Sequence, residues 1–345
     1  MYVLVAGALL PEEAAAKMAA TCNTTALATR LQYGRVTALT VPDAGDDAHW
    51  NWLWVRFGGR GMPVTAPYAL RALQASRWMP GSSIWWAEPV HFALARDHVL
   101  VHTLGAAPLT VAECLGLAAE ATAAACEHGA QLIVAQAKHW FISFNPPWSL
   151  RARLPRPIST HDAQDALPDG PDAMRWRRLL TDIQMRWHRL PLNEAREADG
   201  RPTVNGLWLY GGGLWQPLAA RPFAAVAADD LTVRGWALAS GLDCDAVTSA
   251  NALPAGAADA ETLLYRDDLA AAFHAQDWAA WASAFATLAA ALDALLAQAF
   301  ACGHREVTLL LAGRKHLRAV AVRPGDRLRL WRRNSMACLL AEGPR

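Results

Sequence analysis

The stretch from residue 174 to 213, MRWRRLLTDIQMRWHRLPLNEAREADGRPTVNGLWLYGGG, constrains the fold of this chain more than any other. Trp176, Leu179, Leu180, Ile183, Trp187 and Leu190 recur at helical spacing, so one face of a helix here must be buried. Pro191 ends that pattern, because proline lacks the N–H that a continuing helix needs. A polar connection follows. The apolar run 207–210 then reads as a short strand ending in Gly211, Gly212 and Gly213. Helix, polar connection and strand in such quick succession call for a helical layer packed on a sheet.

The same alternation recurs along the chain. Residues 2–6 form an apolar run that stops at Gly7, before a helix opening at Pro11. Residues 84–94 and 98–102 read as a hairpin around the polar turn Ala95, Arg96, Asp97. The clearest helix spans 110–128: Thr110 can cap it, Glu113 stands at the capping-box position, and Gly129 closes it. Strands are expected at 131–135 and 140–144, and proline at 146 and 147 stops the second. In the second half, Asp229 and Asp230 open a helix to Ser240. Trp278, Trp281, Phe285, Leu288, Leu292 and Leu295 line one side of a longer helix, and 307–311 returns as a buried strand. The expected fold is a layered α/β sheet flanked by helices, with residues 1–345 as a single domain. The segment 145–172, dense in Pro, Asp and Ser, is the place where a subdomain boundary would fall.

Composition excludes several function classes. A formal net charge of +1 and a pI of about 7.7 provide no global field for nucleic acid or an anionic membrane. The chain is 53% hydrophobic and 18% charged, but much of the apolar excess is alanine, and no uninterrupted apolar run reaches the length of a membrane span. Residues 2–10 lack a preceding basic residue and read as a first strand, not a signal peptide. The six cysteines are scattered without a CxxC pair, so reduced thiols and a cytoplasmic protein are expected. Sixteen tryptophans serve core packing in the plainer reading; the clusters Trp50, Trp52, Trp54 and Trp85, Trp86 also suit an aromatic-lined pocket or partner surface.

No GxGxxG after a strand, GxxxxGK[ST], HExxH or GxSxG is present, so no cofactor, no metal and no catalytic residue is expected from motifs. The candidate binding residues sit around the central stretch: Gln184 and His188 on the helix, Asn193, Arg196, Glu197 and Asn205 in the connection, then Trp208 and Gly211, Gly212 and Gly213. Arg196 can grip a carboxylate or phosphate with two parallel N–H groups, and bare glycine amides can approach an anion. The alternative is internal: Arg196 pairs with a glutamate, the asparagines satisfy loop backbone, and the glycines make a tight turn. Near the C-terminus, Arg327 and Arg329 alternate with Leu328 and Leu330. That pattern suggests a strand with one basic face, either a charged edge or a nucleic-acid contact.

Ile183, Gln184, Met185, His188, Pro191, Asn193, Ala195, Arg196, Gly200, Pro202, Val204, Asn205, Leu207, Trp208 and the glycines together resemble the central motif of the RpfE-type regulatory proteins, which are described as phosphoglycerate mutase-like. Trp86, Ala87, Glu88, Pro89, Val90 and His91, with Asp97, His98 and Val99, extend the resemblance over most of the chain. Asn205 to Gly213, followed by Arg234, Gly235 and Gly241, is also similar to a segment of archaeal-type cofactor-independent phosphoglycerate mutases. That likeness implies an alkaline-phosphatase-like α/β fold, two divalent metals held by Asp and His, and a serine nucleophile. The metal positions are not matched. Ala6 and Gly7 stand where an Asp–Gly ligand is expected, and around 264–278 only Asp267, Asp268, His274 and Asp277 are available, in a different pattern.

The expectation is therefore a non-catalytic regulatory or binding protein on a degenerate phosphatase-like core, taking a protein partner or a small anionic ligand. Its rivals are a metal-dependent phosphoglycerate mutase-like or other phosphate-handling enzyme, and a nucleic-acid accessory protein using Arg327 and Arg329.

Overall fold

A computed structural model describes residues 1–39, 41, 47–74, 81–94, 99–105, 108–152, 167–245, 247, 260–328 and 333–343. The strands, in chain order, are β1 (Tyr2–Val5), β2 (Arg35–Leu39), β3 (Ser83–Leu94), β4 (Val99–Thr103), β5 (Ala130–Gln136), β6 (His139–Phe144), β7 (Gly206–Leu214), β8 (Ala225–Ala227), β9 (Cys244–Asp245), β10 (Thr262–Arg266), β11 (Val307–Ala312) and β12 (Leu317–Val322). They form two sheets in two compact units, and helices flank both. The layered α/β class read from the sequence is the class observed.

The first unit comprises residues 1–63 and 217–345. Its seven-stranded sheet runs β2-β12-β11-β1-β10-β8-β9. The five strands from β11 to β9 are parallel, while β12 and β2 are antiparallel additions at one edge. Such central parallel strands are covered on both faces, and Val3, Leu4, Leu264, Leu309 and Leu310 are completely buried. The Trp278–Ala301 helix packs Trp281, Phe285, Leu288, Leu292 and Leu295 into this core. By length and composition alone that helix is apolar enough to cross a membrane.

The second unit is residues 64–216. In its antiparallel sheet β3 is paired by β4, β6 and β7, and β5 pairs β6. The Val111–Glu127 and Ala173–His188 helices bury Leu117, Ala121, Trp176, Leu179, Ile183 and Trp187 against one sheet face. The capping box at Thr110 and Glu113 forms as its spacing predicts.

Four expectations are corrected. The segment 145–172 lies within the second unit instead of between units; the chain leaves the first unit after Pro63 and re-enters it at Pro217. Local composition does not mark this, because the partners of β1 are strands encoded more than two hundred residues later. The polar connection contains a helix, Pro191–Ala198, in which Pro191 starts a new helix as well as ending the previous one. The three glycines do not close a strand but lie inside β7. Finally, Asp326–Leu328 is a single 3₁₀ turn, not a strand. Arg329, Leu330 and the side chain of Arg327 lie outside the described residues, as does the turn Ala95 to Asp97. The basic residue of the neighbouring strand β12, Arg318, points inward at 4% exposure. It donates to the carbonyls of Cys338, Leu339, Ala341 and Gly343, holding the C-terminal Met336–Leu340 helix.

Candidate functional site

Three of the six polar residues singled out around the central stretch, Asn193, Arg196 and Asn205, are committed inward. Asn193 and Arg196 are three apart on the Pro191–Ala198 helix and share its buried face. Asn193 donates from Nδ2 to the carbonyls of Trp187 (3.0 Å) and Val204 (2.9 Å), and its Oδ1 accepts from the Val204 amide at 2.7 Å. Arg196 is fully buried. Its Nε donates to the Pro202 carbonyl at 2.7 Å, and its Nη1 reaches Glu113 Oε1 at 3.1 Å. Arg201 Nη1 reaches the same oxygen at 3.1 Å, while Glu113 Oε2 accepts the Thr110 amide at 2.8 Å. Burial alone would raise the Glu113 carboxyl; the hydrogen bonds from Thr110 and Arg196 outweigh it and hold the group below its ordinary value.

Asn205 does the work of a strand partner. Its Oδ1 accepts from the Phe92 amide (2.7 Å) and its Nδ2 donates to the Phe92 carbonyl (2.9 Å), prolonging the ladder of β3 past the start of β7. Trp208 is buried with Val90 and Val101. Gln184 is half-buried, and His188 and Glu197 are exposed, outside this network. The glycines serve close packing. A Cβ on Gly212 would lie 1.8 Å from the Trp85 ring, one on Gly213 would lie 2.8 Å from Val64, and Gly211 has a φ of +60° with Thr65 Oγ1 2.0 Å from its Cβ position. The backbone amide of Thr65 donates to the Gly211 carbonyl at 2.9 Å. The space that a side chain would need at these three positions is therefore already taken, which accounts for glycine at each.

A second group of polar residues, only partly foreseen, lies at the carboxyl ends of the parallel strands in the first unit, where open α/β sheets commonly place ligands. The chain after β8 carries Asp229 and Asp230, and the chain after β10 carries Asp267 and Asp268. Arg266 grips Asp268 with two bonds of 2.8 and 2.6 Å. Asp230 caps the Leu231–Ala239 helix by accepting from the Thr232 and Val233 amides. Desolvation, opposed by those amides and reinforced by the charge of Asp267, pushes its carboxyl up to about 6. Tyr265 Oη lies 3.2 Å from His49 Nε2 at the start of the Ala48–Arg56 helix. Burial, and then the charges of Asp230, Asp267 and Asp47, raise the Tyr265 phenol well above its usual range. Asp47, 8% exposed, sits 3.9 Å from His274 Nε2, and burial pushes its carboxyl up to about 7. Burial and the neighbouring His274 lower His49 to about 3, so its ring is neutral, and its Nδ1 is buried without a hydrogen-bond partner. The readable signal was an apolar run ending in paired acids, which occurs twice: Val226, Ala227, Ala228, Asp229, Asp230 and Leu263, Leu264, Tyr265, Arg266, Asp267, Asp268.

The end of β1, where the mutase resemblance requires a metal ligand, is packed shut. Ala6 is buried, and its amide extends the ladder to the Arg266 carbonyl. Gly7 has a φ of +73°, and a Cβ there would meet Phe273 Cβ at 2.9 Å and Ala270 Cα at 3.1 Å. The Trp281 indole donates to the Gly7 carbonyl at 2.8 Å. Among the described residues no three His, Cys, Asp or Glu side chains are grouped as metal ligands would be. The described residues do not fit a two-metal centre.

No protein-family model matches the sequence, and no curated protein is similar to it. Among solved structures, the PH0037 protein from Pyrococcus horikoshii is similar over 98% of this chain and 92% of that one, with a TM-score of 0.52 at 11% identity. A cofactor-independent phosphoglycerate mutase from Thermoplasma acidophilum DSM 1728 aligns over 94% of this chain and 90% of that one, with a TM-score of 0.40 at 10% identity. The first likeness is one of fold alone. At the second score nothing passes from that protein to this one.

Proposed function

We propose that this chain is a non-catalytic binding protein of regulatory type, built on a degenerate alkaline-phosphatase-like frame and working in the cytoplasm. The observation that carries the reading is the end of β1. There Ala6, at the position of the expected ligand, is buried and carries a methyl group in place of a carboxylate, and Gly7 beside it is enclosed by Phe273, Ala270 and the Trp281 indole. The resemblance of the central motif to RpfE-type regulatory proteins supports the same reading, as do six cysteines that are all free thiols. The contact surface in this proposal is the carboxyl edge of β8 and β10. Asp267 is raised by desolvation and by the charges of Asp268 and Asp229, a repulsion that a cationic partner relieves. A basic protein segment is the partner of matching chemistry.

Two measurements test the proposal. Phosphoglycerate mutase and phosphatase assays with Mg²⁺, Mn²⁺ and Zn²⁺ are expected to show no metal-dependent turnover. A rate above roughly 1 s⁻¹, the low end of ordinary enzymes, would overturn the reading. Affinity capture from the native host at low salt is expected to recover a partner that Asp229→Asn/Asp267→Asn loses. Equal recovery by the variant would remove the acidic edge from the proposal.

A further inference from the structure

Within the first unit, a cleft of ≈560 Å³ opens between the Ala26–Tyr33 helix and residues 333–336. Sites for small molecules commonly occupy about 300–1,000 Å³. The frame of this cleft is fixed by internal bonds. The Asn334 amide donates to the Gln32 carbonyl at 2.8 Å, its Nδ2 donates to the Gln32 and Gly34 carbonyls, and Gln32 Nε2 donates to Asn23 Oδ1 at 2.7 Å. Met336 is buried at its base.

Among the described residues, four lining side chains have no partner. Among the described residues, Arg333 makes no ion pair, and the hydroxyls of Thr29, Tyr33 and Ser335 make no hydrogen bond. None of the described residues lining the cleft is an acid. The nearby Arg30 is different, since it is already paired with Asp293. A guanidinium with no ion pair among the described residues, beside three hydroxyls and the Asn23 amide, defines a ligand by its chemistry. The guanidinium calls for an oxyanion, and the ring of donors and acceptors calls for hydroxyl groups on the same molecule.

We propose that this cleft binds a small hydroxycarboxylate. Arg333 takes the carboxylate oxygens, and Thr29, Tyr33 and Ser335 exchange hydrogen bonds with the ligand hydroxyls. Neither the acidic strand edge nor the central network contributes to it.

Titration calorimetry of the full chain with tartrate, and with succinate as the counterpart lacking hydroxyls, tests the site. Tartrate is expected to bind saturably and more tightly than succinate. Arg333→Ala is expected to weaken tartrate about tenfold or more, the usual consequence of losing one charge-assisted hydrogen bond. Tyr33→Phe is expected to narrow the gap between tartrate and succinate. Arg333 is exposed, so its variant should keep the wild-type circular dichroism spectrum and melting temperature. Absence of saturable tartrate binding, a smaller loss in Arg333→Ala, or equal binding of tartrate and succinate would each overturn the proposal.

Discussion

Arg196 and Glu113 stand 83 positions apart and meet at 3.1 Å as an ion pair whose arginine is wholly shielded from solvent. Glu113 also closes the capping box of its own helix, so one carboxylate ties together the first turn of the Val111–Glu127 helix, the Pro191–Ala198 helix and Arg201. Removing one member of such a pair strands the other. Arg196→Ala is therefore expected to cost about 3–5 kcal/mol, read from the shift of the urea midpoint at unchanged slope. A loss under about 1 kcal/mol, the value of an exposed pair, would show that the network does not hold the unit together.

A second prediction concerns pH. Asp47 has a folded-state value of about 7 against an ordinary 3.8, because burial outweighs the attraction of Arg314 and is reinforced by Glu342. A raised folded value means that the folded chain holds a proton which the unfolded chain has released. The stability that this contributes is complete below the unfolded value and is lost as pH rises through the folded one. Asp47→Asn keeps a neutral side chain at every pH. Its stability relative to wild type should therefore climb between about pH 4 and pH 7, by about 1–4 kcal/mol, and level off above. Paired urea titrations across that range read the difference directly, and a flat difference would refute it.

The indole of Trp281 and the carbonyl of Gly7 support a third. Trp281 is completely buried, and its donation to Gly7 seals the end of β1. Trp281→Phe keeps most of the apolar volume but leaves that carbonyl without its donor. The expected cost is about 1–3 kcal/mol in chemical denaturation. A neutral result would mean that this bond does not hold the end of β1 in place.

Sequence periodicity disclosed the elements whose signals are local. The 173–188 helix, the strands β5, β6 and β11 and the Thr110 capping box all follow from spacing, caps and turn residues within a few positions. The short strands β8 and β10 did not, because three to five mostly buried residues carry no alternation, and β10 finds β1, and β8 finds β10, only through contacts far along the chain. The polar set Asn193, Arg196 and Asn205 was legible as a set. That it faces inward was not, because the deciding partners, Glu113 and Phe92, lie on other elements. The site at Asp47, His49, Tyr265 and His274 was illegible for the same reason, since no short window contains it.

The glycines of β7 separate close packing from anion binding. Gly212 has an ordinary backbone conformation, so its need for glycine is steric: a Cβ would stand 1.8 Å from the Trp85 ring, and Trp85 is itself 4% exposed in the core. Gly212→Ala must push that ring out of place, at an expected cost of about 1–3 kcal/mol or more. Gly105 provides the comparison. Among the described residues a Cβ there would find only Thr103 Oγ1 at 4.0 Å, so Gly105→Ala should stay within about 0.5 kcal/mol of wild type. If the glycine amides served an anion, Gly212→Ala would melt near the wild-type temperature and lose ligand instead. A thermal denaturation series on these two variants tells the readings apart, and a Gly212→Ala protein as stable as Gly105→Ala would end the packing account.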